Sequence, residues 1–263
     1  MTTAAAIREH YDSLAFIYRT FWGDHIHHGL FLDGDGPARA QVRLLEHCVG
    51  LLGAVGREVL DVGCGHGGTA IHLAEECKCR VLGITISEKQ AHIARENAAR
   101  AGVGEQVSIV AADAETFAYP AEQFELVWTM ESSEHFADKR AYFANAGRTL
   151  RAGGQVLLSA WTGSMTSPRV QEVATRFLCP ELWTREQYES AIAAAGLRAQ
   201  VAEDLSPRVL PTWEICRQRA KAAAVAVKLL PAAVREFVAG IDVILEAYRS
   251  GELTYTVIVA EKP

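Results

Sequence analysis

The first thing this chain lacks is a long apolar run. A helix that crosses a bilayer needs about 20 predominantly apolar residues, and none of the apolar runs in the 263 residues approaches that length. The N-terminal stretch also lacks the apolar centre of a secretory signal, because Arg8, Glu9, Asp12 and Arg19 lie among its apolar residues. We therefore expect a cytoplasmic protein that does not insert into a membrane.

Concentrated positive charge is absent as well. Lys and Arg total 26 against 32 Asp and Glu, which gives a net charge of −6 and an isoelectric point near 5.9. Sequence-independent binding to nucleic acid depends on a basic face, and the chain contains no block of Lys or Arg. Nucleic acid is accordingly not an expected partner.

Paired cysteines are also missing. The six cysteines include no C-x-x-C pair, and Cys77-Lys78-Cys79 has no matching second half that would complete a zinc site. We expect buried, reduced thiols instead.

A histidine-rich segment raises the question of another metal site. His25, His27 and His28 follow Asp24, a set of side chains that could bind a divalent ion. His27 and His28 are adjacent and diverge, however, and no acidic partner recurs at a suitable spacing. We therefore predict no metal.

The chain is rich enough in apolar residues, at 49%, to form a large core. From residue 58 onward, short apolar runs alternate with helical spacing, which is typical of a parallel sheet with crossover helices. We predict strands at 58–62, 80–85, 106–111, 124–129, 154–160, 198–203 and 254–260. We predict helices at 4–21, 37–53, 68–77, 87–101, 138–150 and 184–195, and two more between about 211 and 249.

The most informative segment is 59–69, which reads VLDVGCGHGGT. Asp61 lies inside its apolar run, where a plain core strand would not place a carboxylate. Glycines such as Gly63 and Gly65 let the backbone approach a ligand closely and adopt positive φ. The next helix directs its unpaired N–H groups into the same crevice. The segment predicts a pocket for a nucleotide-type cofactor.

Two kinds of cofactor compete for this pocket. Gly63, Gly65 and Gly68 satisfy the bare G-x-G-x-x-G pattern of dinucleotide folds, whereas no Gly-Lys-Ser/Thr follows for a phosphate loop. The longer form E-V-L-D-V-G-C-G resembles the first motif of class I S-adenosylmethionine (SAM)-dependent methyltransferases. This resemblance implies a Rossmann-like α/β fold, SAM as cofactor, and Asp61 near its amino-acid end. NAD remains an alternative, although the acidic ribose contact it needs near Thr85 is missing.

The same resemblance implies polar contacts at later strand ends. Most class I methyltransferases place an acidic residue after the second strand, where this chain has Thr85 and Ile86, and Gln90 could supply the missing contact. After the third strand, the Asp113 carboxylate suits an adenine amine and the Ala114 backbone N–H suits a ring nitrogen. We predict that these five residues bind the cofactor.

Three titratable residues follow the fourth strand, in the position that faces the transferred methyl group in this class. A histidine with a pKa near neutrality is the ordinary proton acceptor, so His135 is the predicted base, with a structural histidine as the alternative. Glu134 is its neighbour and diverges from it. Glu131 lies four residues before His135 and could share a helical face with it. We predict catalytic roles for all three.

Further segments narrow the resemblance. Residues 22–29, WGDHIHHG, with Tyr11 upstream, are similar to the N-terminal signature of γ-tocopherol methyltransferase-like enzymes, and residues 83–90 and 130–135 are similar to later parts of it. The similarity covers about residues 8–161. We expect the histidine segment to lie over the cofactor, with Trp22 and Tyr11 as stacking or packing surfaces.

Related N-methyltransferases place a Glu-His pair at the acceptor amine, which corresponds to Glu134 and His135. Ser133 departs from the glycine that is usual in the tocopherol enzymes. The C-terminal half shows no usable resemblance, so the acceptor is not implied.

These observations predict one methyltransferase domain over residues 1–263, built on a seven-stranded, mostly parallel sheet with helices on both faces and an antiparallel strand at its edge. Residues 1–53 form a helical cap, residues 54–204 and 251–263 form the SAM-binding core, and residues 205–250 form a helical lid. We expect a monomer or a homodimer.

The predicted reaction is methylation of oxygen or nitrogen on a small, largely apolar specialised metabolite. Phe177, Trp183 and Trp213 offer apolar walls for such an acceptor, and helical core packing is the alternative explanation for these aromatic residues. Three alternatives remain: methylation of a prenyl or aromatic carbon, an NAD-binding oxidoreductase, and a catalytically silent SAM-binding protein.

Overall fold

The computed structural model describes residues 4–9, 11–12 and 25–263. Residues 4–9 and 11–12 are helical, as predicted for the N-terminus. The remainder of that predicted helix, and the predictions for Trp22 and Asp24, lie outside the described residues.

The centre of the molecule is a seven-stranded sheet with the order β3-β2-β1-β4-β5-β7-β6. Neighbouring strands from β3 to β5 pair in parallel, whereas β7 pairs antiparallel with both β5 and β6. The strands are β1 (Glu58–Val62), β2 (Arg80–Thr85), β3 (Val107–Ala111), β4 (Phe124–Met130), β5 (Leu150–Gly163), β6 (Arg198–Asp204) and β7 (Leu253–Glu261).

The position of the antiparallel strand corrects one prediction. β7 does not form the edge of the sheet but lies inside it, and β6 is the edge strand. Nearly all of β7 is buried, whereas no residue of β6 is fully buried. A strand that is apolar on both faces needs a neighbour on each side, and the more polar strand tolerates the edge.

The helices lie close to their predicted positions, except that α5 and the short α7 were not predicted. The sequence did carry a signal for the start of α5, because Pro168 occupies the first helical turn and the Ser167 hydroxyl caps the Val170 N–H at 3.3 Å. The helices are α1 (Pro37–Leu51), α2 (Gly68–Cys77), α3 (Glu88–Arg100), α4 (Lys139–Thr149), α5 (Pro168–Arg176), α6 (Arg185–Ala194), α7 (Ser206–Val209), α8 (Pro211–Ala222), α9 (Ala224–Val227) and α10 (Ala232–Arg249).

Two apolar cores lie on opposite faces of the sheet. Successive side chains alternate across a strand, so Trp128 and Leu157 pack in one core while Val127 and Leu158 pack in the other. Among the described residues, no helix is both long enough and apolar enough to span a membrane. The fold brings the carboxyl ends of β1, β2 and β4 side by side, and ligands of open α/β sheets bind at such ends.

Candidate active site

The turn after β1 has the backbone geometry that its glycines predict. Gly63 and Gly65 have φ of 83° and 53°, in the left-handed region. A Cβ on Gly63 would lie only 2.3 Å from the Cβ of Ser132, so no other residue fits there. The N–H groups of Gly63 and Cys64 both donate to the Ile84 carbonyl, which fixes the turn against β2.

This turn forms the floor of a cavity with about 940 Å³ of empty space that opens to solvent, which we call the glycine-turn cavity. It collects residues from the ends of four parallel strands and from the N-terminal helix. Every predicted cofactor contact lines it: Tyr11, Asp61, Gly63, Gly65, Thr85, Ile86, Gln90, Asp113 and Ala114.

Asp61 is the most unusual of these residues. It is 2% exposed, its Oδ2 atom is buried, and none of the described residues donates a hydrogen bond to that atom. Burial raises the pKa of this carboxyl to about 7. Buried charge is normally paired, so the geometry suits a cationic ligand group beside Asp61.

Polar groups after β2 and β3 are held by hydrogen bonds. The Thr85 hydroxyl donates to Gln90 Oε1 at 2.7 Å, which orients the Gln90 amide. Ser87 caps helix α3 by accepting from the Gln90 N–H at 3.0 Å. After β3, Asp113 accepts from the Glu115 N–H at 2.9 Å and lines the cavity beside Ala114.

A second cavity of about 510 Å³ adjoins the first, and we call it the aromatic cavity. Its outer wall consists of four rings in edge-to-face contact, with centroids 5.4 to 5.9 Å apart: Trp161, Phe177, Trp213 and Phe237. The predicted walls Phe177 and Trp213 are therefore in place. Trp183 does not line this cavity; its ring packs against Tyr188 at 5.3 Å in the other core.

Of the residues that the structure describes, five line both cavities, and we call them the junction residues: Tyr11, Ile26, His27, Glu131 and His135. A group that passes from one cavity to the other must pass between them. Ile26 was not predicted to contact a ligand. The signal in the sequence was its position between His25 and His27 in the histidine-rich segment.

His135 has defined hydrogen-bond partners at both ring nitrogens. Nδ1 lies 3.3 Å from the Leu178 carbonyl, and Nε2 lies 2.9 Å from the Tyr11 hydroxyl. A carbonyl can only accept, so Nδ1 carries the proton, and in a neutral ring Nε2 then accepts from Tyr11. The basic lone pair of His135 thus faces Tyr11 at the junction.

Glu131 is the centre of a buried hydrogen-bond network. Its Oε1 accepts from the His28 N–H and the Tyr255 hydroxyl, and its Oε2 accepts from His28 Nδ1 and Trp161 Nε1, at 2.8 to 3.2 Å. Burial acts to raise the pKa of Glu131, but His28 and these hydrogen bonds hold it below its usual range. Four donors leave this anion little capacity to accept a proton.

The prediction that Glu131 and His135 share a helical face is wrong. Glu131 has φ of 49°, in the left-handed region, and the short 3₁₀ turn begins only at Ser133. The chain therefore turns sharply after β4.

Hydrogen bonds and burial act on the imidazoles of the histidine segment. The indole N–H of Trp213 donates to His28 Nε2 at 2.6 Å. His27 Nδ1 lies 2.7 Å from the His28 carbonyl, and burial lowers the pKa of His27. Burial, aided by His27, also lowers the pKa of His25 to about 3. The His25 ring therefore carries no charge near pH 7 and does not repel a cationic ligand.

Glu134 does not line either cavity. It is 2% exposed, and its Oε1 accepts from the Trp161 N–H at 2.7 Å beneath β5. Burial raises the pKa of Glu134 to about 8. The structure therefore brings Glu131 and His135 to the junction and leaves Glu134 behind it.

Within the described ranges, no group of three or more His, Cys, Asp or Glu side chains could hold a metal ion. The histidine segment instead joins the network around Glu131 through His28.

The fold and the glycine-turn cavity together define a class I methyltransferase architecture, and comparisons with known proteins agree. The family of the methyltransferase domain matches residues 59–154. The 27-O-demethylrifamycin SV methyltransferase of Amycolatopsis mediterranei (strain S699) is 33% identical over 227 residues, which is 82% of each chain. The chloroplastic tocopherol O-methyltransferase of Arabidopsis thaliana is 27% identical over 284 residues, 98% of this chain and 82% of that one.

A solved structure of geranyl diphosphate methyltransferase in complex with SAM has a TM-score of 0.76 and 26% identity, and the match covers 91% of this chain and 99% of that chain. The present chain belongs to the SAM-dependent methyltransferases that act on small molecules. The predicted fold class, enzyme class and cofactor are thereby confirmed, and the oxidoreductase and silent-binder alternatives fall away.

Proposed function

We propose that this enzyme transfers the methyl group of SAM to an oxygen or nitrogen atom of a small, largely apolar acceptor held in the aromatic cavity. The observation that carries the proposal is the position of His135, whose Nε2 atom lies 2.9 Å from the Tyr11 hydroxyl at the junction of the two cavities. Bound SAM supplies a methyl group on a positively charged sulfur, which makes the methyl electrophilic without further activation.

The glycine-turn cavity holds the cofactor through the residues predicted for it. Asp61 faces its ammonium group, Thr85 and Gln90 face the ribose, and Asp113 with the Ala114 N–H faces the adenine. Tyr11 closes the cavity from the N-terminal side. The orphaned, buried oxygen of Asp61 supports this arrangement, because a cationic partner compensates its burial.

At the junction, the protein aligns the acceptor and removes its proton. The aromatic rings exclude water and hold the acceptor so that its nucleophile faces the methyl group. The proton passes to His135 Nε2, either directly once Tyr11 moves aside or through the Tyr11 hydroxyl. Glu131 acts as a positioning residue, since its hydrogen bonds tie the histidine segment to Trp161 and Tyr255.

His135→Asn tests this role. The Asn amide can still donate to the Leu178 carbonyl but has no basic nitrogen in place of Nε2. We expect kcat to fall by roughly 10²–10⁴-fold, with partial recovery as the pH rises, because hydroxide and the ionised acceptor replace the base. SAM binding measured by calorimetry is expected to stay close to that of the wild type.

His92→Asn is the matched control, because His92 is exposed on α3, where its ring pairs with Glu96 at 3.3 Å, and does not line either cavity. A His135→Asn enzyme with an unchanged kcat, or with a loss that pH does not affect, would show that His135 is not the base.

Carbon methylation is a second candidate function, and one observation favours it. The four rings around the aromatic cavity present π faces that could stabilise a carbocation. A screen of phenols, alcohols, amines and prenyl alkenes, with the methylated atom located by NMR, separates the two. Methylation of alkene carbon alone would replace the first proposal with the second.

A further inference from the structure

A third cavity lies between helices α8 and α10, with about 460 Å³ of empty space that opens to solvent, and we call it the α8–α10 groove. Among the described side chains that line it, Arg219 is the charged one. The other lining residues are apolar: Cys216, Ala220, Ala223, Val227, Leu230, Val234, Phe237, Val238 and Ile241.

The groove adjoins the aromatic cavity, because Phe237 lines both. On α8, Trp213 lines the aromatic cavity, and Cys216 and Ala220 line the groove one and two turns further along the same face, followed by Ala223 just past the end of the helix. The distance along this segment from Trp213 to Ala223 is about 15 Å at 1.5 Å per residue. The two cavities therefore follow one another along α8, with the aromatic cavity nearer the junction.

The chemistry of the walls limits what can lie in the groove. Along the apolar walls, away from Arg219, a polar ligand would lose its water without gaining hydrogen-bond partners, which is costly. An apolar chain has no such hydrogen bonds to lose and gains burial. Small side chains such as Ala220 and Ala223 leave the space open, and beyond them Val225 and Leu229 are 79% and 85% exposed, which extends the apolar surface past the end of the groove.

We propose that the α8–α10 groove binds an extended apolar chain, alkyl or prenyl, attached to the acceptor whose reactive head lies in the aromatic cavity. The proposal rests on the function proposed above and adds the class of acceptor: an amphiphile with an oxygen or nitrogen head and a long hydrocarbon tail. The affinity for the acceptor then depends on the length of its tail, because each added methylene is buried as long as the chain ends inside the groove.

The test measures binding, so it does not depend on finding the natural acceptor. The enzyme loaded with S-adenosylhomocysteine is titrated by calorimetry with para-alkylphenols from methyl to octyl. We expect the affinity to rise by up to about fourfold per methylene, the value for full burial of a CH₂ group.

Ala220→Phe fills the groove and is expected to flatten this rise while leaving the affinity for the methyl compound unchanged. Ala222→Phe is the matched control, since Ala222 is exposed on the same helix and does not line the groove. Val238→Phe fills the groove from α10 and serves where Ala220→Phe fails to fold. Unchanged affinity for S-adenosylhomocysteine verifies that each variant is folded.

Three results would overturn the proposal: affinity independent of chain length in the wild type, an equal rise in Ala220→Phe, or dissociation of a dimer by Ala220→Phe with no chain-length effect. The last would assign the groove to a second copy of the chain. Failure of the proposed function is distinct, since it requires that the SAM-loaded wild type methylates no phenol, alcohol or amine.

Discussion

At the scale of single residues, Asp61 shows how a carboxylate can be unfavourable for the free protein and necessary for its ligand. The side chain is buried, and burial raises its pKa from 3.8 to about 7. Folding therefore favours the neutral form of the Asp61 carboxyl over the charged form. Below pH 3.8, the pKa in the unfolded chain, the carboxyl is neutral in both states and costs no stability. As the pH rises from there through about 7, the pKa in the folded protein, the folded state loses stability because the buried carboxyl must become charged.

Asp61→Asn should consequently stabilise the ligand-free enzyme at pH 8, where the wild type must keep a buried charge. The gain is bounded by about 1.4 kcal/mol per unit of pKa shift and should vanish near pH 4. Thermal unfolding of both proteins across this range measures it. A variant that is less stable than the wild type at pH 8 would show that the buried charge is not the cost we infer.

The same substitution should weaken binding of S-adenosylhomocysteine roughly ten- to hundredfold, because the ammonium group loses a charged hydrogen-bond partner. Calorimetric titration measures this loss. Higher stability together with weaker binding is the combination that a purely structural aspartate would not produce.

The three acidic and basic residues after β4 mark the limit of prediction at the residue scale. The sequence predicted that Glu131, Glu134 and His135 belong near the transferred methyl group, and the structure brings two of them to the junction. Which carboxylate faces the cavity depends on the left-handed turn at Glu131 and on donors from distant segments, such as Tyr255. Local spacing carries no information about these.

At the scale of elements, the turn between β1 and α2 was predictable because its signal is local. An apolar strand, glycines at positive φ and a helix start occur within a dozen residues, and the structure places them as expected. Helices α8 and α10 were predictable as helices from their periodicity. The groove between them was not, because it depends on how the two helices pack.

Gly63→Ala tests the turn, with Gly102→Ala as the matched control. Both glycines have φ near 80°, but a Cβ on Gly102 meets nothing within 4 Å, whereas one on Gly63 meets Ser132. Gly102→Ala should cost about 1 kcal/mol in strain. Gly63→Ala should cost more and should abolish binding of S-adenosylhomocysteine, as measured by thermal unfolding and calorimetry. Equal behaviour of the two variants would mean that the close approach to Ser132 is unimportant.

At the scale of the whole molecule, cofactor binding should couple to global stability. The glycine-turn cavity joins the N-terminal helix to the ends of four strands, so a ligand there contacts segments that separate on unfolding. S-adenosylhomocysteine at 100 times its Kd should add about 2.7 kcal/mol, or about 5–10 °C in Tm for a chain of this size. NAD at the same concentration should produce no shift, and a shift with NAD alone would contradict the assigned cofactor.

The sequence by itself determined the seven strands, most of the helices, the cofactor turn and the enzyme class, because periodicity, turn residues and motifs are written in neighbouring positions. Only the tertiary structure decided that β7 lies inside the sheet, that Glu134 lies behind the junction, and that the α8–α10 groove adjoins the aromatic cavity. Each of these depends on contacts between residues far apart in the chain. Such contacts form because whole faces of strands and helices are buried against one another, and no local sequence pattern specifies which faces meet.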